Sequence, residues 1–211
     1  MCRILAIKSK HPFEISEHLH HFAAIAKESK EYQGHGWGLS YLDQDQWVSY
    51  HDIKPIWEDN LDQFGSATTL LVHARSAFQD EGIAVENNMP FIHEDLVFIF
   101  NGELRGVKIR EDGRIGAEKI FNFVERFRKY GIRTALDRAI PIIDRRTEYI
   151  RALNFVIADK EHLYISNYFN EDPDYFNLHL GRSRDTTIIC SQPYVTQVEW
   201  MRLDNYGVEV I

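Results

Sequence analysis

The sequence predicts an α+β fold in which mainly antiparallel sheets are sandwiched between helical layers. Three observations predict it. Short β-rich runs recur from the start of the chain to its end. Helical spacing occurs once near the start and twice in succession at the centre, with several strands on either side. The elements also fail to alternate strand by helix, as a doubly wound dinucleotide-binding sheet would require.

Each element follows from its own pattern. After Met1-Cys2, the apolar run Arg3-Ile4-Leu5-Ala6-Ile7 predicts a buried strand that holds the N-terminus in place. Ile15, Leu19, Phe22, Ala23 and Ala26 repeat at helical spacing behind His11-Pro12, a turn and start signal, so this helix is expected to cover a sheet. Gly34-His35-Gly36-Trp37-Gly38 leads into Leu39-Ser40-Tyr41-Leu42, a turn at Asp43-Gln44-Asp45-Gln46 and an extended Trp47-Val48-Ser49-Tyr50, which together predict a hairpin. Thr68 to Ala74 and Leu96 to Phe100 are apolar at nearly every position, as strands covered on two faces are.

Ala117, Ile120, Phe121, Val124 and Phe127 mark a second helix, stopped by Gly131. Ile132, Leu136, Ala139, Ile140 and Ile143 continue at helical spacing, with Pro141 expected to kink or interrupt them. Leu153 to Ala158 and His162 to Ser166 flank Asp159-Lys160-Glu161 as a hairpin, and Thr186 to Cys190 is a further strand. The polar stretch Asn170-Glu171-Asp172-Pro173-Asp174 reads as a surface loop, so residues 1–211 are expected to form a single domain.

Composition narrows the function. Hydrophobic residues make up 44% and charged residues 27%, enough for a core and a wet surface, which excludes wholesale disorder. A net charge of −8 disfavours a broad nucleic-acid or anionic-membrane surface, so neither partner is expected. With two cysteines, no long apolar segment and no secretory leader, a reducing, cytoplasmic setting is expected. No cofactor requirement is read from the chain. His18 and His21 lack a third ligand in the local pattern, so no metal site is expected.

The residues able to carry chemistry are few. If Met1 is removed, Cys2 carries both a thiol and a free α-amine, with reference pKa values of about 8.5 and about 7.7–8.0, so the amine can take the thiol proton. An incidental second-position cysteine is the competing reading. Arg75, at a strand end in His73-Ala74-Arg75-Ser76, can bind a carboxylate through two parallel hydrogen bonds, or can be a solvated surface residue. His73 can support it or pack against the sheet, and Trp37 can line a pocket or pack between strands. Asn101 and Gly102 break the strongest apolar run and offer a side-chain NH2 and a backbone N–H to a developing oxyanion. Asn-Gly equally favours a plain turn. Cys190, closing a strand with no base nearby in sequence, reads as a buried structural cysteine.

Met1-Cys2-Arg3-Ile4-Leu5, Gly34 to Gly38, His73-Ala74-Arg75 and Asn101-Gly102-Glu103, with a weaker Ser191-Gln192-Pro193, resemble in order the motifs of a class II glutamine amidotransferase domain of the N-terminal-nucleophile hydrolase superfamily. The resemblance implies a four-layer αββα sandwich. It implies Cys2 as the nucleophile after processing, Asn101 with Gly102 as the oxyanion hole completing the catalytic set, and Arg75 as the ligand of the substrate carboxylate; His73 and Trp37 are expected as further substrate-binding residues. Met89 and Phe100 stand where the family usually has His. Gly116, in Ile115-Gly116-Ala117-Glu118, stands where the family commonly has an Asp that recognises the substrate ammonium.

The expected function is a cysteine amidohydrolase that cleaves glutamine or a γ-glutamyl compound through a Cys2 thioester, with a separate synthase or ammonia acceptor as a possible partner. A noncatalytic ligand-binding or scaffold protein of the same fold is the alternative, and a thiol-dependent peptidase or acyltransferase a third class.

Overall fold

The computed structural model describes residues 1–211, the side chain of Asp80 excepted. In chain order the strands are β1 (Arg3–Glu14), β2 (Trp37–Asp43), β3 (Gln46–Asp52), β4 (Ser66–Ala74), β5 (Phe91–His93), β6 (Leu96–Arg105), β7 (Tyr149–Ala158), β8 (Leu163–Asn167), β9 (His179–Arg182), β10 (Thr186–Cys190), β11 (Glu199–Arg202) and β12 (Gly207–Val210). The helices are α1 (Ile15–Lys27), α2 (Gly116–Glu125), α3 (Ile132–Arg145) and the short α4 (Pro173–Phe176).

The opening apolar run explains the layering. Successive side chains of a strand point to opposite faces, yet Ile4, Leu5, Ala6 and Ile7 are all fully buried, so β1 must be covered on both sides. Leu5 and Ile7 pack with Leu19 and Phe22 of α1, while Ile4 and Ala6 share a cluster with Val97 and Ile99 of β6. β1 lies inside a seven-stranded antiparallel sheet of order β11-β9-β10-β1-β4-β2-β3. The second sheet has five strands, β12-β8-β7-β6-β5, also antiparallel, and α2 and α3 cover its outer side. Phe121 of α2 stacks on Phe98 of β6 with ring centroids 4.8 Å apart. The order helix, sheet, sheet, helices is the predicted αββα sandwich. Full burial of a side chain such as Phe22 or Phe121 contributes about 1.5–3 kcal/mol, which makes these contacts the main tie between each helix and its sheet.

The β2–β3 hairpin forms as predicted, with Gln44 and Asp45 both at positive φ (44° and 69°), the backbone a two-residue hairpin turn needs. Four expectations are corrected. His11-Pro12 starts no helix but belongs to β1, within a register shift between Lys8 and Phe13, and the helix begins only after Glu14. Pro141 does not interrupt α3; it lies on the exposed side, where water can satisfy the carbonyl that loses its N–H partner. Asn101-Gly102 makes no turn, because both residues continue β6 and pair with Asn154 and Leu153 of β7. The polar stretch from Asn170 stays at the surface as expected, but its last two residues, Pro173 and Asp174, open the helix α4 instead of continuing a loop. Among the described residues, no helix is long and apolar enough to cross a membrane.

Candidate active site

The alternation that puts Ile4 on the inner face of β1 puts Cys2 there too, two residues earlier. Ile4 pairs with His73 and Arg3 with Ala74, so one step further along the ladder Cys2 lies beside Arg75. His73 and Arg75 therefore share the inner face with Cys2. The Cys2 Sγ accepts from the Ser76 N–H (3.4 Å) and lies 3.6 Å from the Ser76 carbonyl. Burial pushes the thiol up, opposed by the Met1 ammonium, the Ser76 N–H and Arg75.

Arg75 is not a solvated strand end, being only 5% exposed. It donates to the Gly82 carbonyl (2.8 Å) and to Asn88 Oδ1 (3.3 Å), while Asn88 Nδ2 donates to the Asp52 carbonyl (2.8 Å). Its backbone is clamped as well: Arg75 N–H donates to Gly36 (2.9 Å) and His35 N–H to Arg75 (3.1 Å). Gly36 has φ of 109°, and a Cβ there would collide with Asn88, so the glycine is needed for this close approach. The guanidinium is thus aimed by a rigid loop, as a planar anion ligand must be.

The five-stranded sheet supplies the facing groups. Asn101 is fully buried, and neither its Nδ2 nor its Oδ1 has a hydrogen-bond partner. A buried amide in that state awaits water or a ligand group. Its neighbour across the ladder, Asn154, is satisfied, donating to Phe176 O (2.6 Å) and accepting from Tyr168 N–H (2.7 Å). Gly102 has no room for a side chain, since a Cβ would collide with the Ala152 carbonyl. His73 is fully buried, and desolvation, helped by the Arg75 charge, pulls its imidazole down to about 3, so it is neutral.

A cavity of about 750 Å³ opens at this end of the sandwich, lined by Cys2, Arg75, Met89, Phe100, Gly102 and Gly116 among others. Among the described residues, Asn101, His73 and Trp37 do not form its wall. Trp37 is fully buried on the α1 side, donating to Asp59 Oδ2 (3.0 Å) and packed against Tyr50 and Phe64, a place in the core away from the cavity. At the start of α2, a Cβ built on Gly116 would meet nothing within 4 Å.

Sequence reasoning passed over several residues around the site. Glu31 pairs with the Met1 ammonium and with Arg151 (3.0 Å), whose guanidinium also reaches Glu103 (3.6 Å). The terminal ammonium and Arg151 together hold the Glu31 carboxyl below its ordinary range against desolvation. Gln33 Nε2 and the Tyr175 hydroxyl both donate to the Met1 carbonyl, each at 2.6 Å. Only Asn88 had a signal, in its segment Asn87-Asn88-Met89-Pro90-Phe91; Glu31 and Gln33 are brought in by the chain's path after α1.

Elsewhere, Cys190 is fully buried under α1 and its thiol is pushed up to about 12 by that burial. His18 shares a 2.6 Å hydrogen bond with Tyr194, and His21 stacks on the same ring. Among the described residues, no three metal-ligating side chains gather in one place.

No family model matches the chain, and no curated protein does. Solved structures do. The whole chain is similar to a glutamine aminotransferase class-II domain protein from Silicibacter pomeroyi, at 18% identity and a TM-score of 0.68, covering 94% of that chain. It is similar to glutamine phosphoribosylpyrophosphate amidotransferase from Bacillus subtilis at 13% identity and a TM-score of 0.70, with all of this chain covering 49% of that one. A predicted glutamine amidotransferase from Pseudomonas aeruginosa gives 15% identity and a TM-score of 0.58, with 99% and 96% covered. At such identities the likeness establishes the architecture alone: the chain shares the αββα sandwich fold of these structures.

Proposed function

We propose that the chain forms one domain that acts as a cysteine amidohydrolase on glutamine or a γ-glutamyl compound, once Met1 is removed. The observation that carries this reading is the meeting of the Cys2 thiol and the Arg75 guanidinium in one cavity, with Gly102 in its wall. Arg75 holds the ligand's carboxylate. The Cys2 amine takes the thiol proton, and the thiolate attacks the carboxamide carbon. The Gly102 N–H in the cavity wall donates to the oxygen as it gains charge, and Asn101, whose unpartnered amide lies just behind that wall, is the second donor once its side chain turns into the cavity. The ammonium form of the Cys2 amine returns the proton to the departing nitrogen, so ammonia or an amine leaves and a thioester remains. Water then attacks that carbon, and the acid and the free thiol are regenerated.

The surroundings of Met1 fit this exchange. Gln33 Oε1 has no partner, so turning that amide over offers an acceptor to the newly freed Cys2 amine. The Tyr175 hydroxyl, now donating to the Met1 carbonyl, can accept as well. The chemistry needs water alone, and ammonia released from this site would feed a separate acceptor protein. Two free thiols fit a reducing, cytoplasmic setting.

The test is glutamate release from glutamine and from a γ-glutamyl dipeptide by protein whose N-terminus is Cys2, verified by intact mass. Turnover is expected, at least ~100-fold above the Met1-retaining form, because only the former has the base. No release by the Cys2-initiated protein would overturn the reading. The seat that Met1 occupies, with its ammonium on Glu31 and two donors on its carbonyl, favours a second reading, a noncatalytic binding protein. Retention of Met1 in protein purified from its native cell would support that alternative.

A further inference from the structure

We infer that the seat of Met1 becomes, once Met1 is removed, a second ligand site beside Cys2, and that it takes a free α-amino acid with an unbranched apolar side chain, methionine being the reference ligand. The inference goes beyond the amidohydrolase reading: it shares with it only the removal of Met1 and needs no turnover.

The seat is occupied in this structure by the first residue of the chain, so its contacts can be read directly. The Met1 ammonium donates to Glu31 Oε2, and the Met1 carbonyl oxygen accepts from Gln33 Nε2 and from the Tyr175 hydroxyl, each at 2.6 Å. The Met1 side chain is only 10% exposed and packs against Ala152, Phe169, Tyr175 and Phe176. An anion for the ammonium, two donors for the carbonyl oxygen and an apolar floor for the side chain are what recognition of an α-amino acid requires.

Each part is held from outside the seat. Arg151 takes Glu31 Oε1 (3.0 Å), which leaves Oε2 to the ammonium. Gln33 is fully buried, and its Nε2 is fixed on the Glu31 carbonyl as well (2.7 Å). The Arg3 guanidinium lies over the Tyr175 ring, 3.9 Å from its centroid, and donates to the Tyr175 carbonyl (3.0 Å). None of these supports passes through Met1, so they survive its removal.

Removal also changes the charges in one direction. Glu31 Oε2 loses the ammonium it holds, and the Cys2 nitrogen, an amide here, becomes an amine that can carry a proton. A free amino acid answers both. Its ammonium returns to Glu31, and the carboxylate oxygen it has in place of the peptide bond faces the Cys2 ammonium. Met1, Cys2, Glu31 and Arg75 line one cavity, which gives the ligand its way in. A carboxylate against the Cys2 ammonium keeps that nitrogen protonated, so the bound amino acid withholds the base from the thiol.

The experiment titrates L-methionine by calorimetry into protein that begins at Cys2, checked by intact mass, and into Met1-retaining protein. Binding with a Kd of about 1 mM or tighter is expected for the first, and at least about tenfold weaker for the second, whose own residue fills the seat. N-acetyl-L-methionine, which lacks the ammonium, should also bind at least about tenfold more weakly, and L-aspartate, which would set a carboxylate on the apolar floor, more weakly still. Glu31→Gln should lower affinity for methionine by at least about tenfold in protein that a thermal melt shows to be folded. Tyr175→Phe, which leaves the Glu31–Arg151 pair intact, should lower it about threefold and decides the matter if Glu31→Gln does not fold. Equal affinity for the two starts, equal affinity for the acetylated compound, or no binding to the Cys2-initiated protein would overturn the inference, as would retention of Met1 in protein from its native cell. Methionine binding without glutamate release upholds the inference and sinks the amidohydrolase reading; release without methionine binding does the reverse.

Discussion

Cys190 closes β10 and Cys2 immediately precedes β1, its neighbour in the same sheet, and their thiols face opposite layers. Cys190 pairs with Leu5, on the face that packs under α1, while Cys2 is an odd number of residues from Leu5 and so points inward, into the cavity. Burial raises both thiols. Backbone N–H groups and a guanidinium oppose that effect at both thiols, Ser76 and Arg75 around Cys2 and Ser191, Gln192 and Arg3 around Cys190, and only Cys2 has the terminal ammonium in addition. Burial and nearby donors are therefore common to both cysteines. What makes Cys2 a candidate nucleophile is the neighbouring terminal amine and the open cavity on its strand face.

The sharpest way to break this comparison is to remove each sulfur in turn. Cys2→Ala should lower glutamate release by at least ~1000-fold without changing the thermal melt, since it deletes the nucleophile itself. Cys190→Ala should leave turnover within about twofold and cost about 1 kcal/mol of stability by urea titration, the effect of a small core deletion. Comparable losses of activity in the two variants would remove the distinction.

The same contrast between an occupied and an open place can be made with two glycines of the cavity wall. Gly102→Ala drives a methyl group into the Ala152 carbonyl, and should destabilise by about 2–3 kcal/mol in urea titration. Gly116→Ala meets nothing and begins a helix, so it should be neutral or stabilise by up to about 1 kcal/mol. Arg75→Lys tests the clamp between these sites: a lysine cannot reproduce the paired contacts to Gly82 and Asn88, and KM for the amide substrate should rise about tenfold with a smaller change in kcat.

A pH dependence of stability is expected as well. Burial pulls His73 down to about 3 and His18 to about 4. In the unfolded chain both protonate near pH 6.5, so between that value and their folded values the unfolded state binds more protons and stability falls with falling pH. Each contributes at most about 1.4 kcal/mol per pH unit in that window and nothing above it. His73→Gln should flatten part of the loss between pH 6.5 and 4.5 in urea titrations, and an unchanged slope would mean that His73 is not held neutral.

Much of the fold was legible because periodicity reports which face of an element is apolar. Ile15, Leu19, Phe22, Ala23 and Ala26 gave α1, and the doubly covered runs at residues 4–7, 70–74 and 96–100 gave the central strands. The short edge strands β5, β11 and β12 were not read, being only three or four residues long and partly exposed, with too little pattern to register. Asn101-Gly102 was misread in its backbone because local turn preference carries no knowledge of the partner strand, and pairing with β7 overrode it. At the site, Cys2 and Arg75 were identified as candidates from their chemistry and their place beside strands, whereas Trp37 proved to be core because its hydrogen bond to Asp59 lies on the other face of the sheet.

The sequence by itself determined the long elements, the layering they require, and which few residues own the chemistry of a thiol, a guanidinium and an amide. Only the tertiary structure decided that Cys2 and Arg75 end one ladder side by side, that Asn88 and Gly82 aim the guanidinium, that Glu31 receives the Met1 ammonium, and that the space at Gly116 is left open. The reason is physical: periodicity and propensity act over a few residues along the chain, whereas strand register and long-range burial are settled by pairing between segments that the sequence keeps tens of residues apart.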